Sequence, residues 1–210
     1  MSKTEKAIHL TVAPPGVRTL AYLDEIDSTQ TAGRILIESG AQWPLLVVAG
    51  RQTEGHGRRG DCWESESGGL YMTLALKTEA PVHELPGLSV KTAETVSRAL
   101  GKVFGIKTKV KLPNDVLAWH PVKKKYLKIC GIISESAATA TQSDWIVVGI
   151  GVNFNNPLPR ALETAVTAKQ ILGKPVQADA FAHEFFSLFR TEFCVWETGA
   201  IFRNKSLTRH

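Results

Sequence analysis

The stretch from Arg51 to Leu76, RQTEGHGRRGDCWESESGGLYMTLAL, gathers residues that could bind an anion. Glycines let the backbone approach a ligand and direct its N–H groups at it, and Arg58 or Arg59 could neutralise phosphate or carboxylate oxygens. No Gly-Lys-Ser/Thr follows, so this is not a Walker loop, and a strand pattern comes next, which excludes the dinucleotide fingerprint. A β-turn with solvated arginines explains the stretch by itself equally well.

The segment KLPND, residues 111–115, places an amide and a carboxylate behind a proline that breaks a strand. Asn114 and Asp115 could hold a magnesium ion or a ribose hydroxyl at that point. An Asx turn after Pro113 is the commoner explanation for such a pair.

Lys128 begins the apolar strand pattern of KICGIISES. Drawn towards a sheet interior, it would need an anionic partner, because an unpaired buried charge is costly. The alternative interpretation is that Lys128 lies at the strand end and extends its ammonium group to water. In GIGVNFN, the close-spaced glycines from Gly149 onward could let a ligand lie against the strand. Asn153 offers both a hydrogen-bond donor and an acceptor. A bulge at the strand end is the structural alternative.

The elements that must position these groups follow from apolar periodicity. A helix is predicted to start at Ser28 or Thr29 and to stop at Gly40, followed by a buried strand at residues 44–50 that feeds the glycine loop. A second strand follows the loop at residues 69–76, and residues 88–104 have the spacing of an amphipathic helix.

The second half of the sequence predicts a strand over KTKVKLPND that Pro113 breaks, then a hairpin formed by YLKICGIISES and DWIVVGIGVNFN. Everything from Ala161 onward is predicted to be helical, with Asp179 as N-cap and a core face of Phe181, Phe185, Leu188 and Phe189. The elements together predict an α/β (α+β) domain, a largely antiparallel sheet with helices packed on it.

Composition limits the possible classes of protein. The chain has 210 residues, 43% apolar and 21% charged, enough for one domain with a sizeable core, and its net charge of +5 favours an anionic partner. The basic residues form short groups, which suits a phosphate-bearing small molecule at least as well as nucleic acid. Cys62, Cys130 and Cys194 fit neither a disulfide framework nor a zinc site, and no signal peptide or membrane span is visible, so a cytoplasmic protein without membrane contact is expected.

Taken in order, DSTQ, GRQTEGHGRRGDCWESESGGLY, KLPNDVL, KICGIISES and VVGIGVNFN resemble the catalytic domain of biotin–protein ligases. The resemblance covers roughly residues 18–200, which leaves residues 1–17 as a lead-in and residues 201–210 as a tail. It implies a fold related to class II aminoacyl-tRNA synthetases. It also implies a reaction in which biotin and ATP give biotinoyl-AMP and pyrophosphate, after which a lysine of a carboxylase's biotin carboxyl carrier domain takes the biotin.

The resemblance also implies which residues form the site. Those expected at biotin are Ser28, Thr29, Gln30, Gln52, Gly55, His56, Gly57, Arg58, Lys128 and Gly131. Those expected at ATP or the adenylate are Arg58, Arg59, Trp63, Lys111, Asn114, Asp115, Gly149 and Asn153. Lys128, Arg58 and Asp115 are the implied catalytic residues, and Asp115 is the implied ligand of Mg²⁺.

The sequence departs from the family pattern at three places. His56 stands where the family usually has Arg, Leu112 replaces a Trp, and the family's SH3-like C-terminal domain is expected to be missing. No helix-turn-helix is expected ahead of the catalytic domain, and a homodimer through the sheet edge is a further implication of the resemblance. The alternatives are a ligase for another acid such as lipoate or octanoate, and a non-catalytic module that binds biotin or its adenylate.

Overall fold

The computed structural model describes residue 14 and residues 16–78, 85–138, 143–193 and 200–201. The expected lead-in and tail, like Cys194, lie almost entirely outside the described residues. The elements in chain order are β1 Thr19–Ile26, α1 Thr29–Glu38, β2 Leu45–Gln52, a 3-10 turn Arg58–Gly60, β3 Leu70–Thr78, α2 Leu85–Phe104, β4 Thr108–Lys111, β5 Asp115–His120, β6 Lys125–Ala138, β7 Ser143–Val152, α3 Ala168–Leu172, α4 Ala178–Phe193 and β8 Ala200–Ile201.

The strands form one sheet in the order β1-β2-β3-β7-β6-β5-β4, and the short β8 pairs with the end of β3. The β1–β2 and β3–β8 pairs are parallel, and the remaining neighbours are antiparallel. The predicted fold class, a largely antiparallel sheet with packed helices, is confirmed.

The two faces of the sheet are covered differently. On one face α2 and α4 enclose the main core, in which Val148, Phe154 and Phe185 are fully buried. On the other face α1 lies over β2, β3 and β7 above a small cluster centred on Leu45 and Val147. The second face therefore keeps open space beside α1, over the middle strands. No helix in the described part of the chain is both long and apolar enough to span a membrane.

Local sequence signals explain several boundaries. Ser28 is the N-cap of α1, and its hydroxyl accepts a hydrogen bond from the Gln30 N–H. Helix α2 ends at Phe104, just before Gly105, which has the positive φ of 67° that favours glycine. The predicted strands at residues 44–50 and 69–76 are β2 and β3, and the predicted hairpin is the antiparallel β6–β7 pair.

Two predictions about the second half of the chain are wrong. Residues 161–167 are not helical, because their backbone lies beside β6 and bonds to Lys128 through Thr164 O and the Val166 N–H. Asp179 lies in the first turn of α4 rather than at its N-cap.

Strand β5 was not predicted from the sequence. Pro113 does not end the sheet there, because residues 112–114 form a tight turn and Asp115 begins β5, which pairs back on β4.

Candidate active site

A row of directly paired residues crosses the open face of the sheet from β3 to β4. Tyr71 pairs with Gly151, Gly151 with Gly131, Gly131 with Asp115, and Asp115 with Lys111. All five line one cavity of about 320 Å³. Residues that lie far apart in the sequence thus meet because the sheet register places them side by side.

Two glycines in the middle of this row form a flat floor under an aromatic ring. A Cβ atom on Gly151 would lie 2.5 Å from Trp63 Nε1, and one on Gly131 would lie 2.9 Å from Trp63 Cζ3. The indole therefore rests directly on the backbone of β6 and β7. Its Nε1–H is buried against the backbone of Gly151 and has no hydrogen-bond partner among the described residues.

A β-bulge turns Lys128 towards the cavity. Between Val116 and Leu117 the β5–β6 register shifts by one residue, so Cys130 opposes Val116 while Lys128 opposes Leu117. Ile129 and Cys130 both face the core as a result. Strict alternation from Gly131 would instead bury Lys128, so the bulge re-aims the side chain.

At the β5 end of the cavity, Lys128 Nζ lies 2.7 Å from Asp115 Oδ1, with the side chains 33% and 18% exposed. Lys128 Nζ also lies 5.1 Å from the centre of the Trp63 ring. Asn114 is held by a 2.8 Å bond from its Nδ2 to Ile132 O, and its Oδ1 faces Arg58 Nη1 at 3.5 Å. We call Lys111, Asn114, Asp115, Lys128 and Arg58 the charged end.

At the α1 end the cavity is lined by neutral hydrogen-bonding groups. Gln52 Oε1 accepts from both the Thr29 N–H at 2.8 Å and the Thr29 hydroxyl at 3.0 Å. The Thr73 hydroxyl donates to Thr29 Oγ1 at 2.9 Å and lies 3.0 Å from Gln30 Oε1. We call Ser28, Thr29, Gln30 and Gln52, which line the cavity, together with Thr73, which bonds to them without lining it, the neutral end. Its side chains hold one another in fixed orientations before any ligand arrives.

Glu135 joins the neutral end to the glycine loop. It accepts a hydrogen bond from Gln30 Nε2 at 3.1 Å, forms an ion pair with Arg34, and lies 3.8 Å from His56 Nε2. His56 thus faces a carboxylate that Arg34 already neutralises.

Burial sets the protonation of two groups near the floor. It raises the pKa of the Tyr71 phenol, and Glu66 and Glu64 raise it further, so Tyr71 stays protonated and donates to Glu66 O. Burial likewise raises the pKa of the Cys130 thiol, which makes it inert at neutral pH. No group of three or more His, Cys, Asp or Glu side chains that could hold a metal occurs in the described parts of the chain.

Comparison with known proteins identifies the family. The model of the biotin/lipoate A/B protein ligase family matches residues 22–153. The chain belongs to this family. The resemblance to biotin–protein ligases noted from the sequence is confirmed as membership of this family.

The relatives are named as ligases. The bifunctional ligase/repressor BirA of Bacillus subtilis is 34% identical over 153 residues, which are 71% of this chain and 45% of the relative. The biotin–[acetyl-CoA-carboxylase] ligase of Paracoccus denitrificans is 30% identical over 162 residues, 76% of this chain and 64% of the relative. The chain thus spans less than two thirds of either relative's length.

Among solved structures, the biotin protein ligase from Aquifex aeolicus in complex with biotin and ATP matches with a TM-score of 0.68 at 29% identity. The match covers 86% of this chain and 73% of that one. The sheet and helices described above are therefore those of a biotin/lipoate ligase-family catalytic domain.

Most site residues expected from the family resemblance line the one cavity. They are Ser28, Thr29, Gln30, Gln52, His56, Gly57, Arg58, Trp63, Lys111, Asn114, Asp115, Lys128, Gly131 and Gly149. Gly55 and Asn153 do not line it. Gly55 is buried against Ser65 and Gln52, and Asn153 Oδ1 accepts from Asn156. The backbone of Arg59 lies in the 3-10 turn, and its side chain is outside the described part of the structure.

Several residues that line the cavity were not predicted from the sequence. Tyr71, Met72, Ile132, Ile133 and Ile150 line the cavity beside the glycines. Met72, Ile132 and Ile150 also belong to the main core cluster. The signal that could have found them is the sheet register: Tyr71 opposes Gly151 and Ile133 opposes Gly149, while Ile150 pairs with Met72 and Ile132 between these positions.

Proposed function

We propose that the chain is the catalytic domain of a biotin–protein ligase, which activates biotin with ATP and transfers it to a lysine of a carboxylase's biotin carboxyl carrier domain. The observation that supports this proposal is that one cavity has a neutral hydrogen-bonding end, a glycine floor and a charged end. Biotin has matching parts: a neutral ureido ring, an aliphatic chain and a carboxylate.

The neutral end is the proposed seat of the ureido ring. Ser28, Thr29 and Gln30 stand at the start of α1, all nearly fully buried. Because Thr29 and Gln52 already orient one another, their remaining lone pairs and hydrogens are preorganised for a flat group with donors and acceptors. The aliphatic chain would then run through the cavity towards Lys128, alongside the Trp63 ring that covers Gly131 and Gly151.

At the charged end the first step joins two anions. A biotin carboxylate oxygen attacks the α-phosphorus of ATP, the bond from that phosphorus to the β-phosphate oxygen breaks, and pyrophosphate leaves. The carboxylate is ionised at neutral pH, so no general base is needed. What lowers the barrier is positive charge that screens both anions, and Lys128, Arg58 and Lys111 are the proposed sources.

Magnesium and ATP are proposed partners of the same end. Asp115 and Asn114 would hold the ion together with the phosphates, which suits a cation usually bound by one or two carboxylates and its substrate. When bound, magnesium neutralises phosphate charge. Asp115 can serve it only by sharing its contact with Lys128, and a carboxylate with two oxygens can do so.

In the second step the acceptor lysine attacks the acyl carbon of the adenylate, and AMP leaves with the bond electrons. The attacking amine must lose a proton, and Asp115 is the proposed acceptor of it because it is the carboxylate closest to Lys128. Trp63 would shield the mixed anhydride from water from its position on the glycine floor.

The test is incubation with biotin, ATP and magnesium, followed by detection of biotinoyl-AMP and pyrophosphate and then addition of a carrier domain. We expect adenylate and labelled carrier. Adenylate with lipoate but not with biotin would assign the site to another acid of the family. Absence of adenylate with tight binding of biotin would instead favour a binding module.

A further inference from the structure

A lysine-rich surface adjoins the charged end. Edge strand β4 and its approach carry Lys107, Lys109 and Lys111, and the β5–β6 turn carries Lys123, Lys124 and Lys125, all exposed. We call these six the lysine edge. None of them lies within ion-pair distance of a carboxylate in the described residues, whereas Lys91, Lys102 and Lys128 all do.

The lysine edge surrounds two aromatic rings on the open face of the sheet. Trp119 and Tyr126 are directly paired on β5 and β6, with their ring centres 5.2 Å apart. Lys109 Nζ lies 4.4 Å above the Tyr126 ring. Half-buried Trp and Tyr side chains within a charged surround have the composition of the centre of a protein interface.

The clustered charge already acts on a neighbouring group. Burial lowers the pKa of His120, and the charges of Lys123 and Lys125 lower it further. The positive potential of the turn is therefore strong enough to disfavour another proton nearby.

Blunting of an exposed sheet edge explains part of this pattern, because lysines on edge strands discourage pairing between molecules. It does not explain Lys123 and Lys124, which lie in the turn rather than on the edge strand, nor the aromatic pair. Lys111 belongs both to the lysine edge and to the cavity lining, so the surface runs without a break to the Lys128–Asp115 pair.

We infer that the lysine edge, with Trp119 and Tyr126, is the docking surface for an acidic protein domain that presents the acceptor lysine to the cavity. The inference rests on the proposed function. A nucleic acid would also suit the charge, but continuity with the cavity mouth favours the partner whose side chain must reach Lys128.

The experiment compares a protein acceptor with a small one. The variant Lys109→Gln/Lys123→Gln/Lys124→Gln removes three charges from the lysine edge and leaves Lys111 intact. The control Lys77→Gln/Lys174→Gln/Arg190→Gln removes the same charge from exposed positions on other elements. Each protein is loaded with biotin, ATP and magnesium, then given either a carboxylase carrier domain or hydroxylamine.

We expect the lysine-edge variant to lose about tenfold in kcat/KM for the carrier domain at about 0.01 M salt, where the Debye length is about 30 Å. The difference from the control should nearly vanish at about 1 M salt, where that length is about 3 Å. Capture by hydroxylamine should be equal in all proteins, because a small neutral nucleophile needs no docking.

Four outcomes would overturn the inference. Carrier transfer equal to that of the control excludes a docking role, and an equal loss with hydroxylamine shows an effect on the chemistry instead. Loss of duplex DNA binding without loss of transfer assigns the surface to nucleic acid. If the unchanged chain forms no biotinyl hydroxamate, the proposed function fails, and the inference fails with it.

Discussion

The two ends of the cavity are built from the same sheet but hold their side chains by different means. The neutral end is a closed set of hydrogen bonds in which Thr29 is bonded to Gln52 and Thr73. The charged end has one tight ion pair, Lys128 with Asp115, and an exposed Arg58 that reaches Asn114 only at 3.5 Å.

The difference separates recognition from chemistry. A network of satisfied neutral groups resists rearrangement, because each lost bond leaves a buried partner unpaired. Charges that are half-exposed can exchange partners as phosphates arrive and leave. Changes at the neutral end should therefore alter KM for biotin, and changes at the charged end should alter kcat.

Lys128→Ala should give the largest effect. Removing the cation that faces both anions should lower adenylation about 10²–10³-fold, with circular dichroism unchanged. The matched control is Lys109→Ala, which removes an exposed lysine from β4, two strands away from Lys128, and should leave adenylation intact. Near-normal adenylation by Lys128→Ala would remove this residue from the mechanism.

Arg58→Gly should come next. Loss of a charge-assisted contact should speed release of the adenylate about ten- to hundredfold and so label bystander proteins indiscriminately. Release is measured by chasing labelled adenylate, and Arg58→Lys should restore part of the retention. If the glycine variant retains the adenylate as tightly as the unchanged chain, Arg58 does not close the site.

Thr29→Val should act on the other end. It keeps the shape but removes the hydroxyl between Gln52 and Thr73, which should raise KM for biotin about tenfold and change kcat little. Thr53→Val, which changes an exposed threonine directly after Gln52 at the end of β2, is the control. If Thr29→Val changes kcat but not KM for biotin, the assignment of binding to the neutral end and of chemistry to the charged end is wrong.

Glu135→Gln should give the smallest effect. Its ion pair with Arg34 is about one-third exposed, so its loss should cost at most about 1 kcal/mol, or roughly 2–4 °C in Tm, and change KM for biotin less than about threefold. Thermal melts and initial rates measure both. A larger rise in KM than that of Thr29→Val would place Glu135 within the neutral end.

The elements with strong periodicity could be predicted from the sequence. The apolar run of β2, the alternation of β3 and the helical spacing of α2 are local patterns, and the structure confirms each of them. The prediction that residues 161–167 are helical was wrong, because Thr164 and Val166 bond to Lys128 of β6, and no local pattern records that contact. The helices α3 and α4 do follow in the same segment.

The sequence predicted which residues line the cavity better than it predicted how they contact one another. Motif resemblance selected Lys128 and Asp115, yet their contact depends on a β5–β6 register that includes a bulge. The same resemblance selected Asn153, whose side chain bonds to Asn156 away from the cavity. The docking of the carrier domain, the homodimer, the absence of a DNA-binding domain, and the cytoplasmic location stay predictions.

The glycine floor has an evolutionary consequence. Any substitution of a glycine by another amino acid introduces a side chain of at least one carbon. At Gly131 and Gly151 that atom would collide with the Trp63 ring. As long as Trp63 keeps this position, neither Gly131 nor Gly151 can be replaced without displacing its ring. Adaptation to an acid of another size must instead come from the residues around the floor, such as Ile133 or Met72, which can shrink or grow one carbon at a time.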